Sequence, residues 1–382
     1  MNLQTWIARF EHFSLAGPDD NEGLLACFEK APMNDSGWQI HYDRAPDYFA
    51  FLSAHAERFF VFVGRGETGI EATGTLVIRP AFIAGQRRFV GYFGDLRVIQ
   101  GRRWALRWRK FYAELLRDAE QIDEFCGCTH FYTVMLAHNQ TARNALVATR
   151  PKQAITPTYH PIYRYSMINL IAQWRPIAKG PWQVYGALER DREEIKSFLA
   201  RQYASRDFGY VFDENHDELS FREQMNAKLE LGKMLLLRDR AGKLRACTAL
   251  WSPRSMKRIV LERLPPALRY SFALLSLARP WPRQGEELRC LYATFFQVDD
   301  SLAPAQRQCA ARHLFSIALK RARSLDFHVL SVAQFAVSSW EPALRPFICS
   351  RTELEMYAVD PRGTRVAELS RDRDPGFEIG FV

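Results

Sequence analysis

The sequence predicts an α/β (α+β) chain built as two tandem copies of one fold, each a mixed, mostly antiparallel sheet flanked by helices. Three observations predict it. Residues 89–150 alternate strand, basic turn, helix, strand and helix, the order of a parallel strand pair joined by a crossover. Residues 288–333 repeat that order more faintly: a strand LRCLYATFFQV, a helix over 306–324 and a strand over 327–333. Between the two runs periodicity lapses and Pro and Gly cluster in AQWRPIAKGP. The expected division is 1–172, a linker at 173–181, and 182–382.

The elements follow in order. Residues 4–16 read as an opening strand or a short helix. DDNEGLLACFEK places acids before an apolar stripe, so a helix is expected over 19–30. Trp38–Tyr42 reads as a strand, and Ala45-Pro46-Asp47 as the start of a helix through Glu57, with Pro in the first turn. Strands over 59–63 and 70–79 are expected around the turn Gly64–Glu67, and Gly85-Gln86 turns into the strand Phe89–Val98. A helix over 104–119, a strand over 131–137 and a helix opening at Asn139 complete the first copy. The second begins with a helix over 193–203 and strands over 233–238 and 246–251, turned by Asp239–Gly242.

The 382 residues suffice for two domains. A hydrophobic share of 47% and a charged share of 25% fit an ordered globular chain. The net charge of +9 favours anionic partners: a phosphate-bearing ligand, nucleic acid or an acidic surface. The N-terminus lacks the pattern of a signal peptide, and the run Ser271–Ala278 is far below the ~20 apolar residues a spanning helix needs. Seven scattered cysteines suit a reducing compartment, so a cytoplasmic chain with no membrane partner is expected.

Asp95-Leu96-Arg97-Val98, followed by an Arg-rich turn and helix, resembles the acyl-CoA-binding motif of the GNAT N-acyltransferase superfamily. Ala137-His138-Asn139-Gln140-Thr141-Ala142 resembles that family's next motif. The resemblance implies that acetyl-CoA or another acyl-CoA is held by Leu96, Arg97, Val98, Gly101, Arg102, Arg103, Trp104, Ala105, Arg107 and Asn139. Pyrophosphate would meet free amides and the positive end of the helix dipole. Two departures stand out. Ala105 and Arg107 occupy positions where the family prefers small residues, although the five cations between Arg102 and Lys110 offer compensating charge. Leu146 replaces the family's proton-donating Tyr, and Arg150-Pro151 its Gly-Phe ending.

Catalytic candidates follow. Simple alternation on strand 89–98 puts Phe93, Asp95 and Arg97 on one face. There Asp95 either takes the proton of an amine, directly or through water, or pairs with Arg97 or a neighbouring strand. Tyr163 and Tyr165, with Tyr159 in TYHPIYRY, are candidates for the missing phenol; His160 reads as an exposed loop histidine. Asn139 also reads as a helix cap. Cys126, Cys128 and His130 lack the fourth ligand of a structural zinc site, so no metal is expected. Dinucleotide, NTP, zincin and hydrolase motifs are absent from the sequence.

The expected function is acyl transfer from acyl-CoA to a primary amine on a small molecule or peptide. Alternatives are a catalytically inactive binding or sensing module of the same fold, and an aminoacyl-tRNA-dependent peptidyl transferase. The last lacks the helical arm expected of it, so a nucleic-acid partner is not expected. In the second copy Asp299 and Asp300 stand where phosphates would sit, so that copy is expected to be inert toward CoA.

Overall fold

The computed structural model describes residues 1–30, 33–35, 38–67, 69–99, 101–147, 158–172, 181–224, 229–337, 339–370 and 372–381. The predicted linker, apart from Pro181, and Arg150-Pro151 lie outside them. The strands of the first half are β1 Phe13–Leu15, β2 Met33–Asp35, β3 Trp38–Asp43, β4 Arg58–Gly66, β5 Gly69–Ile83, β6 Gln86–Val98, β7 His130–Leu136 and β8 Tyr159–Ile171. Those of the second are β9 Gln183–Gly186, β10 Phe212–Asp213, β11 His216–Asp217, β12 Met234–Arg238, β13 Leu244–Trp251, β14 Arg258–Arg263, β15 Cys290–Val298, β16 Val329–Phe335 and β17 Cys349–Val359.

Twelve of these form one sheet in the order β1-β4-β5-β6-β7-β17-β8-β16-β15-β13-β12-β9. Its parallel pairs are β6 with β7 and β15 with β16; its other pairings are antiparallel. This is the predicted mixed, mostly antiparallel α/β architecture. The centre is woven from both halves. β8 pairs along nearly all its length with β17 and over Tyr165–Ile171 with β16, and β17 also pairs with β7. A second link is a three-stranded sheet, β14-β3-β2, in which Arg258 to Arg263 of the second half run against Gln39 to Asp43 of the first.

Helix Gly101–Asp118 covers one face of the first half, burying Trp104, Trp108, Phe111 and Leu115 at helical spacing. Each such side chain contributes about 1.5–3 kcal/mol on leaving water. Two glycines let the indoles reach the strands. A Cβ on Gly64 would stand 2.5 Å from the Trp104 ring, and one on Gly74 would stand 2.4 Å from that of Trp108. Helix Pro304–Ser324 covers the second half likewise, with Phe315 stacked on Phe296 of β15 at 4.5 Å.

Several expectations shift. The opening segment resolves into helix Leu3–Ile7 and then β1. The helix expected from Ala45 spans only Ala50–His55, because side chains hold the preceding amides: Tyr48 N–H donates to Asn21 and Phe49 N–H to Asp47. β4 and β5 extend past their predicted ends, so Gly64–Gly66 lie in a strand rather than a turn. Trp38–Tyr42 is a strand, but of the small sheet.

Candidate functional site

β6 and β7 hydrogen-bond only from Val90 to Phe93 against His130 to Thr133. There they part, and the Thr133 hydroxyl donates to the Phe93 carbonyl at 2.8 Å at the fork. β7 turns to β17, pairing Val134 with Met356 and Leu136 with Leu354. β6 bends away through a bulge against β5: Gly94 opposes Thr75 and Arg97 opposes Thr73, so the β6 side holds one residue more. Asp95 takes the strained position, φ 54°. The result is a crevice between Gly94–Val98 and Val134–Leu136, with the start of helix Gly101–Asp118 and the Asn139 turn at its end.

The bulge overturns the simple alternation of β6. Phe93, Leu96 and Val98 all pack toward the core under helix Gly101–Asp118. Asp95 and Arg97 instead share the opposite face with Tyr92, above Phe28. One inserted residue flips every side chain after it.

On that second face Asp95 meets Arg44, at 2.8 Å between Oδ2 and Nη2. Arg44 is 2% exposed, and its guanidinium lies 5.0–5.1 Å from the rings of Phe28, Tyr48 and Phe51. Its Nε and Nη1 are buried without a hydrogen-bond partner among the described residues. Lys257 is buried nearby, its ammonium 4.0 Å from the Phe51 ring and 5.0 Å from that of Tyr42. Those ring faces favour the charged form. Burial, with Arg44 adding repulsion and Asp95 opposing it, prevails and brings the Lys257 amine down to about 7.

The remaining sequence candidates fall as follows. Arg97 Nη1 donates to the Leu96 carbonyl. Arg103 and Ala105 are exposed, and Arg107 lies over the Trp104 ring at 5.1 Å. Gly101 and Arg102 open the helix. The Trp104 side chain is in the core, its indole N–H donating to Glu71. Asn139 caps its helix, Oδ1 accepting from Ala142 N at 3.0 Å. Tyr163 donates to the Ser370 carbonyl at 2.5 Å. Tyr165 is buried in the central aromatic cluster, its hydroxyl without a hydrogen-bond partner among the described residues. Burial pushes its phenol far above the ordinary range. Asp95 and Arg97 are thus brought together, while Tyr163 and Tyr165 stand on β8.

The second half carries the same device. Phe295 has φ 51° in a bulge of β15 against β13, and β15 parts from β16 after Tyr292. Its crevice is walled on one side by the chain's own segment 374–381. Glu378 accepts from Phe295 N–H and from the Tyr203 hydroxyl, and burial raises its carboxyl to about 7. Asp299 is paired with Arg245 and Asp300 with Arg307, each at 2.9 Å.

Sequence reasoning passed over Arg44, Lys257 and Glu378. Each sits in no motif and acquires its environment only from distant chain, so periodicity carries no signal for them.

Twin bulges beside parting parallel strands, inside a mixed sheet flanked by helices, make up a fold that this chain shares with solved N-acyltransferase structures. Two structures of Saccharomyces cerevisiae N-myristoyltransferase with bound myristoyl-CoA superpose with TM-scores of 0.57 and 0.58 at 10% identity. The matches cover 92% and 91% of this chain and 79% and 83% of the other. A third, of the same yeast enzyme with myristoyl-CoA and inhibitors, gives 0.56 at 11% identity, covering 91% and 80%. No family model matches the sequence, and no curated protein matches it.

Proposed function

We propose that the chain transfers an acyl group from acetyl-CoA or a longer acyl-CoA to a primary amine of a small molecule or peptide, using the crevice of the first half. The observation that carries this reading is the bulge at Asp95, which turns backbone of β6 out of the ladder where the strands part. The myristoyl-CoA of the yeast structures supports the substrate class.

In this reading β6 aligns the thioester, and amides freed from the sheet polarise its carbonyl. Leu96, Val98 and Asn139 flank the pantetheine arm. Gly101, Arg102, Arg103, Trp104, Ala105 and Arg107 form the phosphate end through helix amides and cations. The amine attacks the thioester carbon, Asp95 or a water takes its proton, and the C–S bond breaks to release CoA thiol. Arg44 and Arg97 fix the Asp95 side of the bulge. Tyr163 and Tyr165 are the phenols available to protonate the thiolate. The second half, its crevice walled on one side by segment 374–381, shapes the acceptor side and binds no CoA.

A second reading, a catalytically silent module, is favoured by Ala105 and Arg107, which put side chains near the start of helix Gly101–Asp118 where the family prefers small residues. Calorimetric titration with acetyl-CoA, myristoyl-CoA and free CoA separates the two when paired with thiol release from an amine panel. Saturable binding weakened about tenfold or more by Arg102→Ala, with turnover abolished by Asp95→Asn, is the expected result. Binding without turnover on any amine selects the second reading. No binding at millimolar ligand overturns both assignments of the crevice.

A further inference from the structure

β5 and β6 are joined by the tight turn Ala84-Gly85, but the matching strands β13 and β15 are joined by residues 252–289. That connection carries helix Pro266–Ser276, none of whose residues is buried. Tyr270 and Leu274, with Leu277 just past the helix end, are 76%, 69% and 84% exposed. Their spacing of four and three places them on one face. On the other side Phe272 and Leu275 pack against the protein, Phe272 on the Trp281 ring at 4.9 Å. The helix is held by one edge and turns its larger apolar stripe outward.

Charge within the segment that carries the stripe has one sign. Between Glu262 and Glu286 the sequence holds four arginines, at 263, 269, 279 and 283, and no Asp or Glu. Arg279 is engaged by Asp326. The guanidinium groups of Arg263, Arg269 and Arg283 form no ion pair among the described residues, although the Arg283 backbone N–H donates to the Glu286 carboxylate at 2.8 Å.

We propose that helix Pro266–Ser276 docks the protein on an anionic phospholipid surface. Tyr270, Leu274 and Leu277 enter the boundary of the acyl chains while the arginines meet lipid phosphates. Eleven residues of helix span about 16 Å, half the thickness of a bilayer core, so the element lies on the membrane and does not cross it. The expectation of no membrane partner considered only spanning runs. Charge chooses lipid over a second copy of the chain, since two such faces would bring their arginines together.

The test is co-sedimentation of the full chain with phosphatidylcholine vesicles containing about 30% phosphatidylglycerol, and with phosphatidylcholine alone. Expected are pelleting with the anionic vesicles only, weakening as salt is raised, and a partition lowered about tenfold or more by Leu274→Ser with Leu277→Ser. Both positions are exposed, so an unchanged melting temperature keeps the loss from being one of folding. Pelleting that ignores the double substitution, equal pelleting with neutral vesicles, or none at all overturns the proposal. So does a dimer in solution that the same substitutions convert to monomer, which would assign the face to a second copy.

Discussion

Arg44 Nη2 contacts both oxygens of Asp95, at 2.8 and 3.0 Å, and so ties the chain after β3 to the strained bulge of β6. Both groups are removed from bulk water, the arginine almost wholly, and the aromatic rings around it offer no other anion. Arg44→Met leaves the carboxylate without its counter-charge and is expected to cost about 3 kcal/mol in a urea melt. Arg44→Met with Asp95→Asn is expected to cost less than the sum of the single changes, because the orphaned charge is gone. Strict additivity would mean that the pair does not hold the bulge.

The indole–glycine seams carry a packing prediction. With Trp104 2.5 Å from the place of a Gly64 Cβ, and Trp108 2.4 Å from that of Gly74, neither ring can retreat without displacing helix Gly101–Asp118. Gly64→Ala and Gly74→Ala are each expected to cost about 1–3 kcal/mol through overpacking. A loss below a few tenths in thermal melts would mean that the helix shifts freely. The same substitutions move the start of that helix, so acyl-CoA affinity is expected to fall with stability.

Local pattern explains what was legible. The strands Phe89–Val98 and Phe131–Ala137, the helix between them and the Asn139 cap obey periodicity and capping, which depend on neighbours a few residues away. The helix from Ala45 was misjudged because Asn21 and Asp47 capture its first amides. The face assignment of Asp95 failed for a related reason: a bulge is one residue in a ladder, and its partner strand decides where it falls. β14 and the helix after it escaped notice because β14 pairs with β3, more than 200 residues upstream. The crossing of β8 and β17 at the sheet's centre is equally non-local, since each strand satisfies its pattern with either neighbour.

Lys257 ties stability to pH. Its amine is held near 7 against 10.5 in the unfolded chain. The folded state therefore binds fewer protons between those values, and stability contributed through this group rises with pH across that window. Below about 7 the full cost of burying the ammonium is present. Lys257→Met is expected to stabilise the protein by about 1–3 kcal/mol at pH 6 and by almost nothing above pH 10.5. Urea melts of both proteins across that range measure the difference. A gain that is constant with pH would place the effect in packing rather than in protonation.

Glu378 has the opposite sign. Burial raises its carboxyl from 4.5 to about 7, with the bonds from Tyr203 and Phe295 N–H only partly offsetting it. The folded state holds this proton more tightly than the unfolded chain. The associated stability is complete below pH 4.5 and is lost as pH rises through 7, a change of about 3 kcal/mol for this shift. Glu378→Gln keeps an oxygen for both donors and removes the titration. Relative to the parent, the variant is expected to be no more stable at pH 4.5 and more stable by about 2–3 kcal/mol at pH 8. Taking the difference between the two proteins cancels the buried histidines, His55, His130 and His328, whose lowered values act in the other direction. If the two melting curves stay parallel from pH 4.5 to 8, the carboxylate is charged in the folded protein. In that case the C-terminal segment is held in the second crevice by an ion rather than by a neutral acid.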